Sequence, residues 1–131
     1  MVDRKLEFDW YDKLVLIVED IETNHLLIDS ILKRTNCNVM WAMDGETAIE
    51  ICREHPEIDL VLMDIRLPGI DGYEATREIR KFRPDLPIIA QSAYIYDNNK
   101  HQVFEAGCND FITKPIKKEI LLKKCDKYIR K

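Results

Sequence analysis

The chain has 131 residues, 20 of them basic and 24 acidic, and its formal net charge is −4. This length is enough for one domain with a hydrophobic core of its own. The mildly acidic balance gives no indication of direct nucleic-acid binding. No apolar run approaches the roughly 20 residues of a membrane span, and the N-terminus lacks the apolar stretch of a signal peptide. A cytoplasmic location without membrane insertion is therefore predicted.

Four widely spaced cysteines form no C-x-x-C pair and have no histidines nearby. They predict reduced thiols, some of them in the core, rather than a disulfide framework or a zinc site. The three histidines lie in polar surroundings on predicted helices or at helix ends, and this predicts solvated side chains rather than ligands or bases. They are His25, His55 and His101.

The first dozen residues mix charges with the aromatic residues Phe8, Trp10 and Tyr11 and show no clean period. They predict either a lead-in that packs loosely against the domain or the remnant of a linker. We therefore expect residues 1–12 to form a lead-in or linker segment and residues 13–131 to form the domain.

The rest of the chain contains five short apolar runs, each followed by a stretch with helical spacing of its apolar residues. The first run, residues 14–18, is apolar throughout, as expected of a strand buried on both faces. In the helix that follows, Leu27, Ile28, Ile31 and Leu32 are predicted to face inward. The predicted strands are 14–18, 39–43, 60–63, 88–90 and 110–112, and the predicted helices are 23–34, 44–54, 71–82, 98–106 and 116–129.

Local signals mark several helix ends and faces. Asp71, followed three residues later by Glu74, predicts an N-cap, and Gly107 predicts the end of the fourth helix. On the last helix, Ile120 and Leu121 belong to the predicted inward stripe, while the lysine-rich face is predicted to be solvated. Asp71 thus has a sufficient structural explanation.

Strict alternation of strand and helix predicts an α/β fold with a five-stranded, parallel, doubly wound sheet. In such sheets ligands bind outside the carboxyl ends of the strands, where the winding changes direction. The residues just past the strands are therefore the candidates for a functional site. They are Glu19, Asp20, Asp64, Ser92 and Lys114.

Three carboxylates at one sheet edge would repel one another by roughly 4 kcal/mol per pair at about 4 Å and an effective dielectric near 20. A hard divalent cation such as Mg²⁺ suits an oxygen-only ligand set of this kind. With Mg²⁺ and Lys114 beside it, Asp64 is the natural nucleophile toward phosphorus, and the Ser92 hydroxyl offers a hydrogen bond to a phosphoryl oxygen. Taken singly, each residue also has a plain structural explanation as a cap, turn or surface residue; their joint placement favours a site.

Four segments carry a resemblance to a known family. From about residue 13 onward the chain resembles a receiver domain of a two-component response regulator or of a hybrid sensor histidine kinase. The segments are Leu16-Ile17-Val18-Glu19-Asp20, Leu62-Met63-Asp64-Ile65-Arg66-Leu67-Pro68-Gly69-Ile70-Asp71-Gly72, Ile88-Ile89-Ala90-Gln91-Ser92-Ala93 and Asp110-Phe111-Ile112-Thr113-Lys114-Pro115.

The resemblance implies a flavodoxin-like (βα)5 fold with strand order 2-1-3-4-5 and a Mg²⁺-dependent phosphorylation of Asp64 by a phosphohistidine. Asp20, Asp64 and the backbone carbonyl of Arg66 would bind Mg²⁺ directly, and Glu19 would act through water. The implied partner is a sensor histidine kinase or a histidine phosphotransfer domain. The protein would catalyse its own phosphorylation and slow dephosphorylation, as a signalling switch that is monomeric or weakly dimeric when phosphorylated.

Further roles follow from the same resemblance. Ser92 would take the family's hydroxyl position and Phe111 the position of the aromatic switch residue, and the Lys114-Pro115 peptide would be cis. Phosphorylation would draw the loop after the fourth strand inward and let Phe111 rotate toward the core. Phe111 lacks the hydroxyl of the commoner tyrosine, a group that would anchor the rotated ring.

Two positions depart from the usual family pattern. Arg66 stands two residues after Asp64, where a small or amide residue is common, and Tyr94 stands two residues after Ser92. We hypothesise that these bulky side chains shield an aspartyl phosphate from water and lengthen its lifetime.

A possible partner surface involves Leu26, which falls off the inward stripe of the first helix. With Ile21 and Pro115 it is expected near the phosphorylation site. The resemblance suggests that such apolar residues dock a phosphohistidine-bearing helix bundle, and a scattered surface leucine is an equally good explanation.

The sequence opposes three other functions. An aspartate-nucleophile phosphatase would place a second acid where Arg66 stands, and a flavodoxin-like cofactor binder would need a phosphate loop where Glu19 and Asp20 stand. A receiver-like interaction module that is never phosphorylated is opposed by the intact acids, Ser92 and Lys114. The chain is expected to be either a stand-alone regulator or the receiver of a hybrid kinase, and the aromatic lead-in slightly favours the second.

Overall fold

The computed structural model describes residues 8–130, so the part of the predicted lead-in before Phe8 lies outside the described residues, as does Lys131. Five strands alternate with five helices, as the alternation of apolar runs predicts. The elements are β1 (Leu14–Val18), α1 (Glu22–Leu32) with a 3-10 turn (Lys33–Thr35), β2 (Asn38–Ala42), α2 (Gly45–Glu54), β3 (Leu60–Asp64), α3 (Gly72–Arg80), β4 (Ile88–Ser92), α4 (His101–Glu105), β5 (Asp110–Thr113) and α5 (Lys118–Ile129).

All five strands are parallel and lie in the order β2-β1-β3-β4-β5, which confirms the predicted sheet. The chain winds toward one edge after β1 and toward the other edge after β3. Val18 pairs with Met63, and Asp64 pairs with Gln91. The crevice beyond Val18 and Asp64 is therefore the place where such a sheet binds ligands.

Separate hydrophobic cores cover the two faces of the sheet. On one face α1 and α5 pack Ile28 and Leu121 against Leu62. On the other face α2, α3 and α4 contribute a second core, in which Ile79 packs with Met63. Each fully buried aliphatic side chain contributes about 1.5–3 kcal/mol, so the strands are fixed from both sides and hold their carboxyl ends in place.

Two residues on the predicted inward stripes face solvent instead. Leu27 and Ile120 are both exposed, whereas Leu122 is buried although the predicted stripe did not include it. One residue adds about 100° around a helix, so Ile120 stands about 200° from Leu122. An apolar residue at the margin of a stripe is compatible with either environment, and packing against the sheet decides which one it takes.

Helix α4 is shorter than predicted, because it begins at His101 and not near Asn98. The Asn99 side chain accepts a hydrogen bond from the backbone N–H of Tyr96 over 2.6 Å and donates one to the carbonyl oxygen of Tyr94 over 2.8 Å. Asparagine competes in this way with helical backbone bonds. The helix ends as predicted at Gly107, whose φ is +108°.

The four cysteines, Cys37, Cys52, Cys108 and Cys125, are free and buried, which confirms the prediction of reduced thiols. Burial raises the pKa of the Cys52 and Cys108 thiols to about 11. They therefore stay protonated and act as small apolar core residues. No helix in residues 8–130 is long and apolar enough to span a membrane.

Trp10 is buried in the α1/α5 core, with 2% of its surface exposed. Its indole N–H donates to Oδ1 of Asp126 over 2.9 Å, and its backbone N–H donates to the carbonyl oxygen of Thr35 over 2.7 Å. Phe8 packs against it with 5.8 Å between ring centroids. Of the two alternatives for the lead-in, packing on the domain therefore describes Phe8 and Trp10, and for Trp10 the packing is tight.

Candidate functional site

The ends of β1 and β3 bring three acids together. Oxygens of Glu19, Asp20 and Asp64 lie within 4.8 Å of one another. Glu19 is fully buried and Asp64 is 3% exposed, while Asp20 is half-buried. Glu19 and Asp20 directly follow the last residue of β1, and Asp64 ends the central strand. The predicted convergence of these three carboxylates is present.

Lys114 crosses from the end of β5 to the acids. Its Nζ lies 3.0 Å from Oε1 of Glu19 and 3.2 Å from Oδ2 of Asp64. Its backbone N–H donates to the carbonyl oxygen of Ser92 over 3.0 Å, and the Lys114–Pro115 peptide is cis as expected. One ammonium group therefore bridges two buried carboxylates from different strands.

The charge of the site leaves Asp64 in an unfavourable environment when it is ionised. Burial and the neighbouring Glu19 carboxylate raise the pKa of Asp64 to about 6, although Lys114 opposes the shift. For Lys114, burial lowers the pKa, but the attraction of Asp64 and Glu19 outweighs it and the net pKa is raised. One lysine does not balance three acids, so the site favours a further cation. Oxygen-only donors at this spacing fit Mg²⁺.

Ser92 ends β4, and Phe111 lies on the neighbouring strand β5, two residues before its end. Ser92 is buried, and its Oγ accepts a hydrogen bond from the backbone N–H of Tyr94 over 2.9 Å. Phe111 is half-buried and meets Phe104 edge-on, with 6.2 Å between ring centroids. The Ser92 hydroxyl is thus bonded to the turn that follows β4, and Phe111 packs at the margin of the core.

One lysine of α5 is only partly exposed and has protein partners, unlike the solvated face predicted for that helix. Lys124 Nζ donates to the carbonyl oxygen of Phe111 over 2.6 Å and to Oδ1 of Asp110 over 3.0 Å. It also lies 4.9 Å from the centroid of the Phe111 ring. Because β5 and α5 face each other here, the lysine finds protein partners that helical periodicity alone does not reveal.

Arg66 and Tyr94, which follow β3 and β4, contact each other. The Arg66 guanidinium carbon lies 4.1 Å from the centroid of the Tyr94 ring. The backbone N–H of Arg66 donates to Oδ1 of Asp64 over 3.3 Å. The sequence singled out both residues as departures from the family pattern, but it did not predict that they stack on each other.

Two neighbours of the site have structural roles. The Asp71 side chain accepts a hydrogen bond from the backbone N–H of Glu74 over 2.9 Å, which confirms its prediction as an N-cap. A Cβ atom at Gly72 would lie 2.2 Å from the carbonyl oxygen of Asp64. Only glycine therefore lets α3 begin against the backbone of the central strand.

The predicted partner surface is exposed. Ile21 and Leu26 have 51% and 54% of their surface accessible, and Pro115 is exposed as well. Met43, the residue after β2, is a further exposed apolar residue that the sequence did not indicate. That Met43 lies near the end of β1 follows only from the pairing of β2 with β1.

A five-stranded sheet of this order, with three acids and a bridging lysine at its switch point, defines a receiver-type α/β domain. The chain belongs to the response regulator receiver domain family, whose family model matches residues 15–126. The autoinducer 2 sensor kinase/phosphatase LuxQ of Vibrio vulnificus is 41% identical over 108 residues, which cover 82% of this chain and 12% of LuxQ. The chain thus spans only a small part of this relative.

Solved structures agree with the family assignment. The receiver domain of the sensor histidine kinase PA1611 from Pseudomonas aeruginosa, with magnesium coordinated in its active-site cleft, has a TM-score of 0.82 and 35% identity, covering 91% of this chain and 98% of that chain. The receiver domain of the response regulator Ssk1 from Saccharomyces cerevisiae, crystallised with the histidine phosphotransfer protein Ypd1, has a TM-score of 0.84 and 30% identity, covering 91% and 90%.

Proposed function

We propose that this receiver domain accepts a phosphoryl group on Asp64 from a phosphohistidine. An oxygen of the Asp64 carboxylate forms a bond to phosphorus while the phosphorus–nitrogen bond breaks, and the imidazole leaves with that electron pair and takes up a proton. The observation that carries the proposal is the bridging of Asp64 and Glu19 by Lys114, at 3.2 and 3.0 Å. It provides a positive charge beside the only acid that ends the central strand.

Asp20, Asp64 and the backbone carbonyl of Arg66 would hold Mg²⁺, with Glu19 acting through water. When bound, the ion neutralises charge on the phosphoryl oxygens. The raised pKa of Asp64 supports this assignment, because burial and the Glu19 carboxylate disfavour its ionised form and a divalent cation would favour it. The magnesium ion of the PA1611 receiver domain supports it as well.

Lys114 and Ser92 would bind phosphoryl oxygens once Asp64 is modified. Phosphorylation replaces one negative charge by nearly two, so Lys114 gains a better acceptor than Glu19, and the Ser92 Oγ would turn from the Tyr94 amide toward the phosphoryl group. Movement of Ser92 would let Phe111 rotate toward the core. Converting a mostly inactive population into a mostly active one requires roughly 5.5 kcal/mol of differential stabilisation.

The partner in this proposal is a sensor histidine kinase or a histidine phosphotransfer domain. The exposed residues Ile21, Leu26 and Pro115 would contact its helices beside Asp64, and the pairing of the Ssk1 receiver domain with Ypd1 supports this class of partner. A cytoplasmic location, the absence of direct nucleic-acid binding, and a monomer or weak dimer on phosphorylation complete the proposal. The kinase relatives favour a place within a hybrid kinase.

The proposal is tested by incubating the domain with Mg²⁺ and acetyl phosphate and measuring its intact mass. We expect a gain of one phosphoryl group in the wild-type protein and none in Asp64→Asn. Asp71→Asn is the matched control, because it changes a nearby aspartate that serves only as a helix cap, and it should still form the adduct. Absence of the adduct from the wild-type protein would favour the interaction module that is never phosphorylated.

The lifetime of the phosphoryl group is expected to depend on the stacked pair of Arg66 and Tyr94. The double variant Arg66→Asn/Tyr94→Ala should lose phosphate roughly 2- to 10-fold faster, which corresponds to the loss of about 0.5–1.4 kcal/mol from a cation–π contact. Each single substitution should have nearly the full effect, because either one removes the stack. Phosphate release after removal of the donor measures the rate.

The matched control is Tyr96→Ala, which removes an exposed tyrosine two residues further on. It should leave the rate unchanged. Equal rates in the double variant and the wild-type protein would show that water reaches the phosphoryl group regardless of this pair.

A further inference from the structure

Trp41 on β2 contacts the backbone of the acid pair. Its indole N–H donates to the carbonyl oxygen of Glu19 over 2.7 Å. The same loop is tied to β2 a second time, because the backbone N–H of Glu19 donates to the carbonyl oxygen of Ala42 over 3.0 Å. The peptide that joins Glu19 to Asp20 is planar, so fixing its carbonyl oxygen also orients the amide and Cα of Asp20.

Asp20 depends on this backbone more than its neighbours do. The carboxylate of Glu19 accepts hydrogen bonds from the backbone N–H of Ile21 and from Lys114, and that of Asp64 accepts from Arg66 and Lys114. Within residues 8–130, no group donates a hydrogen bond to the Asp20 carboxylate. The place from which its side chain projects is therefore set by the backbone that Trp41 holds.

The ring of His25 packs on the face of the Trp41 indole. Its ring stacks on Trp41 with 4.1 Å between centroids and 5° between planes. Its Nδ1 is enclosed and has no hydrogen-bond partner among the described residues, so the ring is held by stacking and not by polar bonds. This environment differs from the solvated one predicted for His25. Because His25 lies near the start of α1 and Trp41 on β2, the stacked rings join the two elements that flank the acid loop.

We propose that Trp41, braced by His25, is a positioning residue for the divalent cation of this site, acting by holding the Glu19–Asp20 peptide in the orientation that metal binding requires. The inference rests on the proposed metal site and adds to it a residue that touches no metal. Groups that orient metal ligands commonly affect affinity, and loss of one hydrogen bond has a measurable effect.

The test compares two identical substitutions at different places. Trp41→Phe keeps an aromatic ring for His25 to stack on but removes the indole N–H. Trp10→Phe removes the other tryptophan of the chain, whose indole N–H donates to Asp126 in the α1/α5 core and not to the three carboxylates of the site. Calorimetric titration with Mg²⁺ alone should show a Kd about three- to tenfold weaker for Trp41→Phe and unchanged for Trp10→Phe.

Fluorescence and kinetics add readouts that a general loss of stability would not produce. Only Trp41 remains in Trp10→Phe, and its emission should change as Mg²⁺ binds; Trp41→Phe, which retains Trp10, should show no change. The phosphorylation rate of Trp41→Phe by acetyl phosphate should be reduced at limiting Mg²⁺ and recover at saturating Mg²⁺. Should Trp41→Phe fail to fold, His25→Ala leaves the indole in place and should weaken Mg²⁺ binding by about twofold.

The outcomes separate this inference from the function on which it rests. A wild-type protein that does not bind Mg²⁺ overturns the proposed metal site and the inference with it. A wild-type protein that binds Mg²⁺, with Trp41→Phe and Trp10→Phe shifting the Kd equally or not at all, overturns the inference alone. A selective loss of affinity in Trp41→Phe supports it.

Discussion

Replacing Asp64 by Asn is expected to stabilise the metal-free domain by up to about 3 kcal/mol at pH 7 and above. The pKa of this buried carboxyl rises from its ordinary value of 3.8 to about 6 in the folded protein, and each unit corresponds to about 1.4 kcal/mol. The folded state therefore binds this proton more tightly than the unfolded state does. The associated stability is fully present below pH 3.8 and is lost as the pH rises through 6.

Urea denaturation in the presence of a chelator, repeated between pH 4 and pH 8, measures this effect. The free energy of unfolding of the wild-type protein should fall relative to that of Asp64→Asn over this range. Asp71→Asn is again the control and should follow the wild-type protein. Adding Mg²⁺ at pH 8 should stabilise the wild-type protein and leave Asp64→Asn nearly unaffected, because the ion favours the ionised carboxylate. Parallel pH profiles of wild type and Asp64→Asn would contradict the charge balance described for the site.

Replacing Trp10 by Ala should destabilise the domain by about 3–5 kcal/mol, the usual range for removing a large aromatic side chain from a core. The substitution creates a cavity beside α5, where the Trp10 ring packs, and removes the hydrogen bond to Asp126. Denaturation of the full chain measures the loss. Tyr11→Ala is the matched control, because Tyr11 is exposed and its truncation should change the stability by less than about 0.5 kcal/mol.

The result also bears on where the domain begins. The sequence predicts residue 13 as its first residue, and we propose that the folding unit extends back to include at least Trp10. A Trp10→Ala variant as stable as the wild-type protein would return the boundary to residue 13.

The sheet and its site were predictable because each rests on a strong local signal. Apolar runs such as Leu60–Asp64 have one stable place in a soluble domain, the middle of a covered sheet. Parallel strands then bring the residues that follow them to one edge, so Glu19 and Lys114 could be placed near Asp64 although 95 residues separate them. The predicted topology placed these residues together, which their spacing in the sequence alone does not.

Other features depend on contacts between elements and could not be predicted. Trp41 and Glu19 are 22 residues apart, and Trp10 and Asp126 are 116 residues apart. Nothing in the local sequence of either tryptophan indicates an acceptor for its indole N–H. The same holds for Lys124, whose helix face looks solvated by periodicity and is covered in part by β5. The predicted burial of Ile120 was wrong for a related reason. Ile120 lies at the margin of the apolar stripe, where burial depends on how the helix is rotated against the sheet.

The two cores on opposite faces of the sheet have a consequence for how a signal would travel. Successive strand residues point to opposite faces, so Asp64 shares a face with Leu62, while Phe111 packs against the core on the other face. In the proposed function, the phosphorylated residue and the switch residue therefore lie on opposite faces of the sheet. We expect a change at Asp64 to reach Phe111 through Ser92, at the carboxyl edge of the sheet, and not through the packed interior.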